Sequence, residues 1–187
     1  RQRQMCIRDS ASTDQNLYSF NSSGVTNPSW PRALGSEATA SVAIDNDYNV
    51  YIGTANGVFQ AVTPDNQSLW AYNTGASVYA SACISFDNKL YVPASDGRVL
   101  CFNLETIDQN SPSFDWILSM GAGIISSPAL DTKINDSDLE TFIYLGLLDG
   151  RMVKISDDGS CAAIVLQYQT GEPILTSPGI DVSGNIY

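Results

Sequence analysis

Hydrophobic and polar residues alternate in short runs along this chain, and turn-forming residues separate the runs. The clearest stretch covers residues 41–80. It contains four apolar runs rich in β-branched and aromatic residues, at 41–45, 50–54, 58–62 and 68–72. The pair Asn56 and Gly57, between the second and third runs, is the strongest short-range signal for a β-hairpin. Because the apolar positions show no helical period, the pattern predicts four consecutive antiparallel strands.

The same pattern recurs, and a serine begins each copy. The copies read Ser-Val-Ala-Ile-Asp at 41–45, Ser-Ala-Cys-Ile-Ser at 81–85, Ser-Pro-Ala-Leu-Asp at 127–131 and Ser-Pro-Gly-Ile-Asp at 177–181. The serines lie 40, 46 and 50 residues apart, which is the period of four-stranded blades in a β-propeller. We therefore predict an all-β chain that consists of consecutive blades. Its expected parts are the end of a blade (11–40), three blades (41–80, 81–126 and 127–176) and the start of another (177–187).

Two further features distinguish the copies. Enlarged turns are predicted at residues 105–114 and 132–141, where an insertion projects from the rim of a blade. A tryptophan recurs on the outermost strand, at Trp30, Trp70 and Trp116. A large hydrophobe that is present once per blade is typical of packing between blades, and ligand stacking is the alternative. We expect Trp70 and Trp116 to be largely buried and Trp30 to be less so, because its blade is incomplete.

Residues 1–10 have no counterpart in the repeats. Their sequence is identical to the translation of one frame of a transposon-based sequencing-library adaptor. We therefore expect residues 1–10 to be adaptor-derived rather than natural, and to contribute no strand to any sheet. Because the repeat pattern is interrupted at Tyr187, we expect a fragment, of metagenomic origin, that forms an open arc of a larger propeller.

Composition limits the classes of partner. The chain has 20 acidic and 9 basic residues and a net charge of −11. This charge argues against binding to nucleic acid, whose phosphates favour clusters of Lys and Arg, and against binding to anionic membrane surfaces. No apolar stretch approaches the roughly 20 residues of a membrane-spanning helix. The chain contains no histidine, which excludes His-based catalytic triads and His metal sites from these 187 residues.

Two acidic segments are candidate cation sites. Asp45, Asp47 and Asn49 have the spacing that opens a calcium loop. However, Val50 stands where that loop has glycine, and Asn56 stands where it has a bidentate glutamate. A hairpin turn is therefore the favoured interpretation. The second segment contains Asp131, Asn135, Asp136, Asp138 and Glu140. A solvated insertion is favoured there over a cation site.

The cysteines outside residues 1–10 are Cys83, Cys101 and Cys161, and their spacing fits no zinc motif. Small buried side chains within strands are the favoured interpretation, and a disulfide between blades is the alternative. From the residues alone we assign no catalytic, cofactor-binding or metal-ligating position.

The repeated phrases resemble the pyrroloquinoline-quinone-like propeller repeat of the quinoprotein alcohol dehydrogenase-like family. The phrases are Ser-Pro-Ala-Leu-Asp at 127–131, Val-Tyr-Ile-Gly at 50–53, Asp-Gly-Arg-Val-Leu at 96–100 and Leu-Trp at 69–70 with Thr-Gly at 74–75. The resemblance covers nearly all of residues 11–187 and implies an arc of a propeller with seven or eight blades. Family members include quinone-dependent alcohol and sugar dehydrogenases, an outer-membrane assembly lipoprotein, and binding propellers without a cofactor.

Enzymatic members of that family carry an adjacent cysteine pair near the quinone, a tryptophan platform, and a calcium ion held by Glu, Asn and Asp. The cysteines here are isolated, and no residue matches the other positions. We therefore expect a non-catalytic binding or scaffolding propeller of the cell envelope or extracellular space. No cofactor is expected, and the ligand is expected to be a protein or a polysaccharide. The alternative is a fragment of a quinone (PQQ)-dependent dehydrogenase whose quinone and calcium site lies outside this chain.

Overall fold

The computed structural model describes residues 8–135 and 138–187, and every regular element in them is a β-strand. The strands form four antiparallel sheets, numbered here in chain order. Sheet 1 contains β1 (Arg8–Ala11), β2 (Asn16–Phe20) and β3 (Arg32–Ala33). Sheet 2 contains β4 (Ala43–Ile44), β5 (Val50–Gly53), β6 (Val58–Val62) and β7 (Ser68–Asn73). Sheet 3 contains β8 (Cys83–Ile84), β9 (Lys89–Pro93), β10 (Arg98–Asn103) and β11 (Trp116–Ser119). Sheet 4 contains β12 (Ala129–Asn135), β13 (Asp138–Gly146), β14 (Arg151–Asp157) and β15 (Ala162–Gln169).

The predicted all-β fold of four-stranded blades is confirmed. In sheets 2, 3 and 4, each strand pairs with the next strand in the chain. Gly57 lies in the predicted hairpin turn with a φ of 83°, a conformation that glycine adopts without steric cost. Within the described ranges, no helix is long and apolar enough to cross a membrane.

The N-terminal residues differ from expectation. Strand β1 (Arg8–Ala11) pairs along β2, with Asp9 opposite Ser19 and Ala11 opposite Leu17. The expectation that residues 1–10 contribute no strand is therefore wrong for Arg8 to Ser10, and residues 1–7 lie outside the described residues. The physical reason is that a strand edge presents unpaired N–H and C=O groups, which any extended segment can satisfy.

The predicted enlarged turn at 132–141 also differs. Strands β12 and β13 remain paired from Ala129 opposite Tyr144 to Asn135 opposite Asp138. The insertion therefore lengthens a hairpin and does not form an irregular loop. Its β-branched residues, such as Thr132 and Thr141, favour strand conformation. Asp136 lies outside the described residues. The other insertion, at 105–114, does form an irregular connection between β10 and β11.

The sheets pack face to face in chain order. One buried cluster joins sheets 1 and 2, a second joins sheets 2 and 3, and a third joins sheets 3 and 4. No cluster of described residues joins sheet 4 back to sheet 1, so the sheets form an open arc. On sheet 4, Leu166 is 55% exposed and Tyr168 is 67% exposed, since no complete sheet covers that face.

The tryptophan predictions are confirmed only for Trp70, which is 4% exposed. Trp30 is 8% exposed, although it was expected to be the least buried of the three. The sheet that follows a tryptophan is the one that covers it: Trp30 packs against sheet 2, and its Nε1–H donates to the Pro64 carbonyl at 3.2 Å. Trp116 is half-buried, and its Nε1–H donates to Asp157 Oδ2 at 3.2 Å.

Polar contacts between sheets and a candidate binding groove

The repeated serine connects the repeats that begin at residues 41, 81, 127 and 177. The Ser41 N–H donates to Ser81 Oγ at 2.8 Å, the Ser81 N–H to Ser127 Oγ at 2.9 Å, and the Ser127 N–H to Ser177 Oγ at 2.9 Å. We call these three bonds the serine ladder. The recurrence of serine therefore has a structural use, because the hydroxyl oxygens of Ser81, Ser127 and Ser177 accept these bonds.

The Asp-Gly-Arg phrase makes a second contact between sheets. Arg98 pairs with Asp96 at 2.6 Å, and its Nη2 donates to the Thr74 carbonyl of the preceding repeat at 2.6 Å. Arg151 repeats the arrangement, with Asp149 as its ion-pair partner and the Met120 carbonyl as its acceptor. The guanidinium has enough donors to bind both groups at once, so this phrase also serves packing.

A buried polar cluster joins sheets 3 and 4. Lys89 Nζ lies 3.1 Å from both carboxylate oxygens of Asp157, and these residues are 4% and 2% exposed. Oδ2 also accepts hydrogen bonds from the Tyr91 hydroxyl at 2.9 Å and from Trp116 Nε1 at 3.2 Å. The Gly159 N–H donates to Oδ1 at 2.9 Å. One carboxylate of sheet 4 therefore satisfies three side chains of sheet 3.

The equivalent tyrosine in sheet 2 is satisfied within its own blade. The Tyr51 hydroxyl donates to Asp45 Oδ2 at 2.8 Å, and the Asn49 side chain donates to the same oxygen at 2.9 Å. In sheet 3, serine stands at the position of Asp45 and Lys89 at that of Asn49. The acceptor for Tyr91 therefore comes from the next sheet. Sequence reasoning missed this exchange, and its sequence signals are the serine in place of aspartate and the lysine in place of asparagine.

Burial raises the pKa of the Tyr51 and Tyr91 hydroxyls above the ordinary value of 10.0, and the carboxylates of Asp45 and Asp157 raise it further. The unfolded chain ionises these tyrosines near pH 10, whereas the folded chain keeps them protonated. The free energy of unfolding is therefore expected to fall as the pH rises above 10, by about 1.4 kcal/mol per pH unit for each tyrosine. Urea denaturation at increasing alkaline pH measures this slope. Tyr51→Phe is expected to make it shallower, and an unchanged slope would contradict the assignment.

The Asp45 segment is a hairpin turn, as predicted. Asp45 Oδ1 accepts the Asp47 N–H at 2.9 Å and the Asn49 N–H at 2.8 Å. The carboxylate is therefore used to organise its own turn. Asp181 repeats this arrangement, with Asn185 as its main donor, and these hydrogen bonds hold the pKa of Asp181 below its ordinary value.

Apart from Asp136, the candidate residues of the second acidic segment lie in strands β12 and β13. Over the described residues, no three His, Cys, Asp or Glu side chains come together as metal ligands. Asp131 lies in β12 and Glu140 in β13, where Glu140 accepts a hydrogen bond from Ser156 at 2.6 Å. Asn135 and Asp138 pair as the last rung of the β12–β13 hairpin.

The three cysteines are all free, so the alternative of a disulfide between blades is wrong. Cys101 is buried within β10, as expected for a small side chain in a strand, and Cys83 is partly buried in β8. Cys161 is exposed in the turn before β15, which differs from expectation. Burial raises the pKa of the Cys101 thiol, which disfavours the reactive thiolate.

A concave surface lies between the β4–β5 turn of sheet 2 and the β8–β9 turn of sheet 3. We call it the turn groove. It consists of two adjoining cavities of about 360 Å³ and 190 Å³. The larger is lined by Ile44, Asp45, Asn46, Ile84, Ser85, Phe86 and Asn88. The smaller is lined by Asp45, Asn46, Asp47, Asn88, Leu104 and Glu105.

The turn groove has two chemically different ends. At one end, Phe86 is 82% exposed and Ile44 is 43% exposed. At the other end, Asp47 and Glu105 are exposed carboxylates. Sequence reasoning examined Asp47 only as a calcium ligand and missed the groove, because its two walls come from turns about 40 residues apart.

No family model matches this chain, and no curated protein matches it. Several solved structures do. BamB from Moraxella catarrhalis matches with a TM-score of 0.70 and 20% identity, over 93% of this chain and 53% of BamB. Quinohemoprotein alcohol dehydrogenase from Comamonas testosteroni matches with a TM-score of 0.68 and 11% identity, over 90% of this chain and 36% of that enzyme. The computationally designed Ika8 protein matches with a TM-score of 0.67 and 16% identity, over 94% of this chain and 50% of Ika8.

The chain thus spans about half the length of BamB and about a third of the dehydrogenase. Identities of this size show a shared fold and leave function to be argued from sites. The four sheets, their order and their packing therefore have the β-propeller fold that is also found in BamB and in quinohemoprotein alcohol dehydrogenase.

Proposed function

We propose that this chain is part of a non-catalytic binding or scaffolding β-propeller of the cell envelope or extracellular space. The observation that carries the proposal is that one set of polar residues makes contacts between sheets and another set is exposed in the turn groove. Side chains that recur among the repeats are used between sheets, as in the serine ladder and, in two repeats, the Arg98 and Arg151 contacts. In the turn groove, by contrast, Phe86, Asp47 and Glu105 are exposed to solvent. Exposed turns on a rigid support are typical of a binding surface.

The proposed location rests on two further observations. The net charge of −11 favours solubility and disfavours binding to nucleic acid and to anionic lipid. The repeat resembles a family with many members outside the cytoplasm. A surface that is made of turns is better suited to a protein or polysaccharide ligand than to a cofactor that must be buried.

The second candidate function is a quinone-dependent dehydrogenase, of which this chain would form some of the blades. The likeness to quinohemoprotein alcohol dehydrogenase favours it. The residues of this chain do not fit a quinone site of that kind, because Cys83, Cys101 and Cys161 are separated in sequence and supply no adjacent pair.

Enzyme assays on the full-length protein separate the two functions. After incubation with pyrroloquinoline quinone and calcium, the protein is expected to reduce no artificial electron acceptor with alcohols or sugars. The control is the same assay without quinone. Substrate-dependent and quinone-dependent dye reduction would reject the proposed function in favour of the dehydrogenase.

A further inference from the structure

We propose that the turn groove binds an extended peptide segment that carries a lysine or arginine beside an aromatic or branched aliphatic residue. This inference rests on the proposed binding function and names the chemistry of its ligand. It is carried by the shape of the groove, by its charge and by the exposure of Phe86.

The shape requires a ligand with two different parts. The two cavities share Asp45, Asn46 and Asn88, so they form one continuous groove. Its apolar end favours a hydrophobic side chain, because burial of apolar surface is favourable. Its acidic end, at Asp47 and Glu105, favours a cation. Adjacent residues of an extended peptide supply both groups at a fixed spacing.

The negative charge of the groove is not compensated locally. The groove is lined by three carboxylates and by no lysine or arginine, as far as the described chain shows. Asp45 is occupied by donors of its own turn. By contrast, no described side chain donates to the Asp47 carboxylate, and Glu105 accepts one hydrogen bond, from Asn88 at 3.0 Å. A positively charged partner therefore matches the potential of this surface.

Phe86, at the apolar end of the groove, also favours an arginine or lysine in the ligand. Its ring is 82% exposed, although it follows the buried Ser85 in a tight turn. The face of an exposed aromatic ring attracts a guanidinium or ammonium group. The side-chain amides of Asn46 and Asn88 line both cavities and have the donors and acceptors that a peptide backbone requires. A small inorganic cation, unlike such a peptide, would interact only with the acidic end of the groove.

Calorimetric titration tests the proposal with the 187-residue protein and a capped pentapeptide, Gly-Phe-Arg-Phe-Gly. We expect saturable binding that weakens as salt screens the carboxylates. The double substitution Asp47→Asn and Glu105→Gln is expected to weaken binding by about fivefold to tenfold. Phe86→Ala is expected to weaken it by a similar factor. All three side chains are exposed, so the fold is expected to persist, and circular dichroism checks this.

Glu172→Gln is the matched control, because Glu172 is an exposed carboxylate outside the groove, and we expect it to leave binding unchanged. Equal binding of Gly-Phe-Glu-Phe-Gly, equal binding of free arginine amide, or no saturation at about 1 mM peptide would overturn the proposal. If the peptide does not bind and the dehydrogenase assay is also negative, only the assignment of the ligand is rejected. Quinone-dependent activity rejects the binding function itself.

Discussion

Asp157→Asn is expected to lower the free energy of unfolding by about 3–5 kcal/mol, because it removes one partner of a buried ion pair. Lys89 is 4% exposed, and the substitution leaves its ammonium group in the interface between sheets 3 and 4 without a counter-charge. The amide also has one acceptor oxygen where the carboxylate has two. The Gly159 N–H, which donates to Oδ1, and the Tyr91 and Trp116 donors, which share Oδ2, therefore cannot all keep an acceptor. Urea denaturation of the wild type and the variant measures the loss.

A second substitution tests the cause of that loss. The double variant Lys89→Met and Asp157→Asn removes the unpaired charge, and we expect it to recover at least half of the lost free energy. Asp96→Asn is the matched control: its ion pair with Arg98 is partly exposed, and the expected cost is about 1 kcal/mol or less. A single-variant cost no larger than that of the control would contradict the role of the buried pair.

Trp70→Ala is expected to cost about 3–5 kcal/mol, because it empties the centre of the interface between sheets 2 and 3. The indole lies 5.4 Å from the Phe102 ring of sheet 3, and 5.9 Å and 6.1 Å from the Tyr51 and Phe59 rings of its own sheet, between ring centroids. Because the indole contacts both sheets, the cavity left by alanine is bounded by two rigid surfaces. These surfaces limit how far the surrounding side chains can move in to fill it. Thermal or urea denaturation measures the cost.

Phe86→Ala serves as the control for aromatic truncation. Its ring is exposed in the turn groove, so the change in the free energy of unfolding is expected to stay within about 0.5 kcal/mol. If Trp70→Ala proved equally mild, the tryptophan would not be a packing residue, and the alternative of a ligand-stacking role would gain support.

The strands of sheets 2 and 3 were predictable because the chemistry that defines them is local. The hairpin at Asn56 and Gly57 needs only a turn sequence and two flanking apolar runs. The hairpin at 132–141 was predicted as a loop because its acidic residues indicate solvation. Backbone pairing can continue through such a segment, since β-branched residues alternate with the charged ones.

Contacts between sheets were less accessible to sequence reasoning. Lys89 and Asp157 lie 68 positions apart, and nothing in either segment indicates the other. The burial of Trp30 was also mispredicted, because burial depends on which sheet follows it and not on the completeness of its own blade. The turn groove was missed for the same reason: its walls belong to different repeats, and only the packing of the sheets brings them together.

The serine ladder also relates the contacts between repeats to the order in which the repeats are synthesised. Each link joins a backbone N–H to a hydroxyl that is 40 to 50 residues further along the chain. Synthesis proceeds from the N-terminus, so the repeats that begin at Ser41, Ser81 and Ser127 each leave the ribosome before the hydroxyl that their first N–H bonds in the folded chain. The start of the next repeat is sufficient: Ser177 already accepts its bond, beside a hairpin that is held by the Ile180–Ile186 bridge. Each repeat is thus completed by the first residues of its successor, and the order of translation becomes the order of assembly.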